Sequence, residues 1–174
     1  MPTTTPIPSD VLTRQLTVVE PDSPELSHIG LVGDTYTVLI SAKETAGRYC
    51  LIDRHIPPGG GPPPHRHDFE ESFTVLAGQI EAVFRGKTRT VKAGQTISIP
   101  ANAPHAFRNK DSAPARLLCI CAPAGQEEFF KQVGVPVAGR TTPPPAPNSK
   151  QAALQREKAE QLAPQFKTEL LPPD

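Results

Sequence analysis

Between Phe69 and Pro123 the chain is cut into short β-prone runs, each closed by a turn signal. The signals are Gly78, Gly86, Gly94, the stretch PANAP at 100–104 and the stretch KDSAP at 110–114. Short strands at such regular spacing predict an antiparallel sandwich or barrel. Upstream, residues 33–41 (GDTYTVLIS) are β-branched and aromatic, which suits a strand. Residues 45–47 turn the chain, and residues 48–56 alternate as a further strand. The run VLTRQLTVV within 10–20 is expected as an edge strand, followed by a turn-rich loop at 21–27.

The pattern changes at Gly125. The stretch GQEEFFKQVG has acids in its first turn, Lys131 late and Gly134 at the C-terminal end, which predicts a two-turn helix. Phe129, Phe130 and Val133 form its packing face. Residues 136–148 carry five prolines and read as an extended linker. Residues 150–163 are charged, with an apolar stripe of Ala152, Ala159 and Leu162, so a helix there needs docking to persist. Pro164 is expected to end it. The expected organisation is a disordered tail at 1–9, a barrel domain at 10–135, and a proline-rich linker with a docked C-terminal segment at 136–174.

The 174 residues suffice for one domain with a real core. Eighteen basic and eighteen acidic residues cancel, and no basic stripe is present, which argues against nucleic acid or an anionic membrane as partner. No signal peptide and no span of membrane length is recognisable. Three cysteines, Cys50, Cys119 and Cys121, lack the CxxC spacing of a metal or redox pair. The expectation is small apolar residues in strands, in a reducing cytoplasm.

The chemistry concentrates in residues 65–77, HRHDFEESFTVLA. In an extended strand alternate side chains share a face, so His65, His67, Glu71, Phe73 and Val75 converge, while Glu70 looks outward. A turn or bulge near Asp68 would exchange the two acids. Neutral imidazole with carboxylate suits iron, manganese, nickel, cobalt, zinc or copper. A second constellation, GQTISIPANAPHAFRN from Gly94 to Asn109, supplies a third imidazole, His105. Four ligands, His65, His67, Glu71 and His105, leave a coordination position open for water, dioxygen or substrate, unlike a closed structural zinc site.

Both stretches resemble the two motifs of the cupin superfamily, small β-barrel proteins of the germin and quercetin dioxygenase kind. Gly59, His65, His67, Glu71 and Gly78 match every position of the first motif. Gly94, Pro100, His105 and Asn109 match the second, with Asn102 in place of the corner glycine, a substitution that a left-handed backbone tolerates. The resemblance implies an all-β double-stranded β-helix (jelly-roll) barrel, with a short helix and a helical, proline-rich C-terminal extension. It also implies one divalent transition metal per chain, held by His65, His67, Glu71 and His105. Single-domain relatives of quercetin dioxygenase are the most similar members. The implied activity is a metal-dependent dioxygenase acting on a small flavonol-like or enolic molecule, with Glu71 doubling as proton acceptor. A metal-dependent isomerase or decarboxylase and a non-catalytic small-molecule binder stand as rivals, since one fold hosts many activities.

Other residues carry two readings. Phe73, Phe84 and Phe107 are candidate walls of a substrate pocket, and core packing explains them equally well. Glu70 is either solvated or a second acid at the mouth. Arg48, Arg54 and Arg85 are candidates to meet an anionic substrate, although alternation turns many arginines outward. His28 and His55 fit no pattern. Exposed sheet edges suggest a homodimer.

Overall fold

The computed structural model describes residues 6–31, 33–146 and 148–172. Among them twelve strands form two antiparallel sheets: β1 (His28–Leu31), β2 (Asp34–Ile40), β3 (Cys50–Ile56), β4 (His65–His67), β5 (Glu70–Ala77), β6 (Gln79–Phe84), β7 (Lys87–Lys92), β8 (Thr96–Ile99), β9 (His105–Arg108), β10 (Ala115–Ala122), β11 (Val135–Pro136) and β12 (Thr168–Leu170). The larger sheet runs β11-β1-β2-β3-β10-β5-β8, and the smaller β12-β4-β9-β6-β7. This is the expected jelly roll. Inward-facing residues of both sheets interdigitate, as the edge-on contact of Phe73 on β5 with Phe107 on β9 shows, with ring centroids 5.0 Å apart.

The interior of the larger sheet is built in rows. Register aligns Ile99, Glu71, Cys121 and Cys50 across β8, β5, β10 and β3. One row deeper lie Ile97, Phe73, Cys119 and Ile52. A further row holds Val75, Leu117, Arg54 and Tyr36. Alternation therefore turns the two cysteines of β10 inward together.

The two motifs are tied to each other through backbone. Gly59 donates to the Asn109 carbonyl at 2.8 Å, and Asn109 donates to the Gly60 carbonyl at 2.9 Å. The Asn109 side chain, fully buried, donates to the carbonyls of Ile56 and Ala113. Gly61 takes φ +123 and lies so close to the Phe107 carbonyl that a Cβ there would sit 2.1 Å from the oxygen. Only glycine fits that crossing. Asn102 is left-handed at φ 67, its N–H donates to the His67 carbonyl at 2.7 Å, and its amide donates to Asp68. The corner thus survives without glycine.

Helix α1 (Ala42–Thr45) is a single turn with a Ser41 capping box. Helix α2 (Gln126–Val133) buries Phe129, Phe130 and Val133, the face expected for it. Helix α3 (Lys150–Leu162) buries Ala152, Gln155 and Ala159, and Gln155 donates to the Gly30 carbonyl at 2.9 Å. α3 ends at Leu162, two residues before Pro164 as expected, and a 3-10 turn, Ala163–Phe166, follows directly. β12 then pairs with β4.

One expectation fails. Residues 10–20 form no strand; a turn at Leu12 and Thr13 breaks the run. Its apolar side chains face solvent, with Leu12 81% and Leu16 90% exposed, so alternation there has no sheet to face. Conversely β1, in residues 28–31 that the strand pattern left unassigned, is fully buried between β2 and β11. His28 sits in it, its ring nitrogens bonded to Thr37 and the Ser23 carbonyl. The expected tail at 1–9 lies partly outside the described residues, and residues 6–9 have no regular structure.

Candidate metal centre

His65 and His67 stand on β4, His105 on β9 opposite His65, and Glu71 on β5 of the other sheet. The chain crosses between sheets at Asp68 and Phe69, and this break leaves the side-chain parity intact. Glu71 is buried with the three imidazoles, and Glu70 is exposed. Glu70 also has a role not foreseen, because its Oε1 accepts from the Ala101 N–H at 3.2 Å. The ligand atoms of His65, His67, Glu71 and His105 all lie within 4.8 Å of one another.

Each imidazole is oriented by a carbonyl two residues away. His65 Nδ1 faces Pro63 O at 2.9 Å, His67 Nδ1 faces Phe69 O at 3.0 Å, and His105 Nδ1 faces Ala103 O at 2.9 Å. A carbonyl only accepts, so each Nδ1 carries hydrogen and each Nε2 presents a lone pair inward. The Phe69 ring stacks on His67 at 3.8 Å and 4°, fixing its plane.

Glu71 Oε2 lies 3.1 Å from His67 Nε2 and 3.3 Å from His105 Nε2. Burial raises the Glu71 carboxyl, but the close His105 and His67 rings, which act this way only with a proton or a cation at Nε2, outweigh it and hold it well below its usual range, so it is ionised. Burial pushes His65 down to about 3, which keeps that ring neutral. His105 Nε2 is buried without a hydrogen-bond partner. Inward lone pairs and an anionic oxygen crowd one point, and a cation satisfies them all. The two separations from Glu71 Oε2 fit one too, because two ligands about 2.0–2.2 Å from a common ion at roughly 90–109° lie about 3–3.5 Å apart.

The other oxygen of Glu71 is also held. Oε1 accepts from Cys119 Sγ at 3.3 Å and lies 3.7 Å from Cys121 Sγ. The thiols were legible only as small strand residues. Arg54, expected as a candidate to meet an anionic substrate, is instead buried, and its parity with Ile52 and Ile56 was the signal that would have placed it inside. It is buried between the Tyr36 and Phe107 rings, 4.6 and 4.5 Å from their centroids, and pairs with Asp34 at 2.7 Å. Burial lifts the Asp34 carboxyl to about 6 against the pull of Arg54.

Phe73 and Phe107 are fully packed in the core, and Phe84 is half-buried in register with His105. A cavity of about 500 Å³ lies on the outer face of the smaller sheet, lined by Pro63, Pro64, Val83, Ala106 and Arg108, with Phe107 at its border. A second, of about 160 Å³, is lined by Phe69, Gln126, Phe166 and Lys167. None of the four candidate ligands lines either one. Phe69 stands between the smaller cavity and His67.

Residues 53–121 match the Cupin domain family. Quercetin 2,3-dioxygenase of Bacillus subtilis is 29% identical over 115 residues, 65% of this chain and 34% of that protein. The chain therefore spans about a third of that relative's length. The polyketide cyclase RemF from Streptomyces resistomycificus superposes with a TM-score of 0.56 at 22% identity, over 87% of this chain and 96% of that one. A predicted oxalate decarboxylase from Thermotoga maritima gives 0.55 at 19% identity, over 62% and 99%. At such identities the two structures speak for the fold alone. Both motifs, the jelly-roll sheets and the domain match agree that residues 53–121 carry a cupin domain.

Proposed function

We propose that the chain is a metal-dependent dioxygenase acting on a small enolic or flavonol-like molecule. The observation that carries this reading is the convergence of inward Nε2 lone pairs and Glu71 Oε2 on one buried point, with each Nδ1 engaged by a carbonyl. The likeness to quercetin 2,3-dioxygenase over 65% of the chain supports it. A divalent ion bound by His65, His67, Glu71 and His105 supplies Lewis acidity toward an enolate oxygen and a place for dioxygen.

The chain's own residues do the rest. The carbonyls of Pro63, Phe69 and Ala103 hold the imidazole planes. Glu71, ionised in the resting site, would accept the enol proton at Oε2 once that oxygen is free of the ion. Phe73 and Phe107 exclude water from the side facing Arg54. Phe69 is positioned to govern passage from the smaller cavity.

A second reading is a metal-stabilised binder without turnover, favoured by the near-complete burial of the four side chains, of which His65 is the most exposed at 9%. Oxygen consumption separates the two. Protein stripped of metal and restored with iron, manganese, nickel, cobalt, copper or zinc in turn is given flavonols and small enols. Substrate-dependent oxygen uptake with at least one ion is expected. Substrate binding without uptake for any ion overturns the dioxygenase reading.

We also propose that the chain works as a homodimer. The segment 6–20 has no regular structure, yet it exposes Ile7, Val11, Leu12, Leu16 and Val18. Such a row is more stable covered than in water.

A further inference from the structure

Glu71 is shared between two clusters. Its Oε2 faces the imidazoles, and its Oε1 faces a pair of thiols on β10. Cys121 lies directly opposite Glu71 in the ladder, and Cys119 lies one row deeper on the same inward face. Their Sγ atoms are 3.7 Å apart, and they stand 3.3 Å (Cys119) and 3.7 Å (Cys121) from Glu71 Oε1. All three ligand atoms fall within 4.8 Å of one another, and all three residues are buried.

Those distances can be compared with a coordination sphere. Two sulfurs each about 2.3 Å from one ion at the tetrahedral angle lie about 3.8 Å apart. A sulfur and an oxygen at about 2.3 and 2.0–2.2 Å lie about 3.5–3.7 Å apart. The observed S···S separation matches the first value, and the two S···O separations straddle the lower end of the second. Packing alone requires neither match: the alternative occupants of this row, valine or alanine, would fill the space without aiming a ligand atom at Oε1.

We propose that Cys119, Cys121 and Glu71 Oε1 form a second metal site, for zinc or a softer thiophilic divalent ion such as cadmium, joined to the imidazole site through the Glu71 carboxylate. Thiolate sulfur selects soft and borderline ions, whereas imidazole with carboxylate is less discriminating, so neighbouring sites differ in the ions they prefer. Binding breaks two S–H bonds and forms two metal–sulfur bonds, with both protons leaving to solvent and no change of oxidation state. The inference stands whichever activity the imidazole site has, because it concerns binding alone.

Cadmium titration of the stripped protein tests it, followed by thiolate-to-cadmium ultraviolet absorption and X-ray absorption at the cadmium edge. The wild-type chain is expected to show the thiolate band and two sulfur scatterers per thiol-site ion. It should also bind one equivalent more than the Cys119→Ser/Cys121→Ser variant, which loses the band. His105→Ala, aimed at the imidazole site, is expected to keep the band. If the double variant does not fold, Cys119→Ser alone reads the same point, with one sulfur scatterer left and affinity down roughly tenfold or more. A wild-type protein that takes up cadmium with no thiolate band, or a band that persists undiminished without Cys119 and Cys121, overturns the proposal.

Discussion

Thr168 is the antiparallel partner of His67, so the strand that carries two of the candidate ligands is held on its outer side by the C-terminal end of the described chain. On its inner side β4 meets β9 through the single aligned pair His65 and His105. Asp68 N–H donates to the Lys167 carbonyl and Leu171 N–H to the Pro64 carbonyl, both at 2.9 Å, closing the ladder at each end. Removing residues 167–174 leaves β4 with too few bonds to fix its two imidazoles. We expect metal affinity to fall roughly 10- to 100-fold, the range seen when groups that orient ligands are lost. The Arg66–Glu169 ion pair is half-exposed on both sides and contributes little. Isothermal titration should therefore find Glu169→Gln near wild type and the truncation weak; equal affinities would remove the clamp from the account.

The imidazole site makes sharper demands. His65→Ala and His105→Ala are each expected to remove most of the bound metal, read by elemental analysis of dialysed protein. Glu71→Gln should weaken binding at least as much as the 10- to 100-fold typical of supporting groups, since an amide brings no charge and is a poorer ligand. Glu70→Gln keeps an oxygen for the Ala101 N–H and should change stability by no more than about 0.5 kcal/mol. Metal loss in Glu70→Gln with retention in Glu71→Gln would reverse the assignment of the two acids.

Much of this site was legible because its determinants are local. Alternation along 65–77 put His65, His67 and Glu71 on one side, and the crossing at Asp68 and Phe69 spared that pattern because buried Phe69 keeps the odd parity. The spacing of glycines and prolines gave the antiparallel layout. What escaped was set by distant partners. The tripeptide Thr168–Leu170 has no strand pattern of its own and is ordered by β4. The run 10–20 has the pattern but no sheet beside it. Cys119 and Cys121 read as apolar filler until register placed them against Glu71.

Glu127 gives a pH-dependent prediction. This fully buried carboxylate accepts from the backbone N–H groups of Ala42 at 2.7 Å and Gly125 at 2.8 Å, joining α2 to α1. Burial raises its carboxyl, but the two backbone donors and the Cys50 thiol more than offset that, leaving it below the ordinary 4.5. A depressed folded value contributes stability that is present above 4.5 and lost as pH falls through the depressed value. Glu127→Gln turns amide hydrogens toward at least one backbone donor and should cost about 1.5–3 kcal/mol at neutral pH. Denaturant melts from pH 7 down to pH 3 (about four units, spanning the carboxylate range) should show the gap between variant and wild type narrowing below the ordinary value. A constant gap would mean that the carboxylate charge is not what matters.

The exposed N-terminal arm is expected to control assembly. Among the described residues, the Arg14 guanidinium ties it to the rest of the chain by donating to the Glu44 carbonyl. Light scattering should find a dimer for the full chain and a monomer after deletion of residues 1–20. Deletion of residues 1–9 alone should leave the melting temperature nearly unchanged, since few backbone bonds and apolar contacts are lost there. A full chain that is monomeric at high concentration would refute the dimer.

The last prediction concerns Arg54 and Asp34, an ion pair buried on both sides. Arg54 also donates to the Tyr36 hydroxyl at 2.9 Å, while its Nε has no partner. Taking two charges out of water is costly, and their attraction repays it only while both are present. Arg54→Met strands the carboxylate of Asp34 and should cost about 3–5 kcal/mol at neutral pH. The carboxyl already sits at about 6 with its partner in place, and losing the arginine raises it further. Protonation then relieves the stranded charge, so the cost of Arg54→Met should shrink as pH falls toward 5 (roughly one unit above the unfolded carboxyl) and grow toward alkaline pH. The double variant Asp34→Asn/Arg54→Met removes both charges and should recover most of the loss, giving a coupling energy of about 1–3 kcal/mol in a double-mutant cycle. Additive losses across that cycle would show that the pair is not coupled, and that Arg54 is held in the barrel by the aromatic rings of Tyr36 and Phe107.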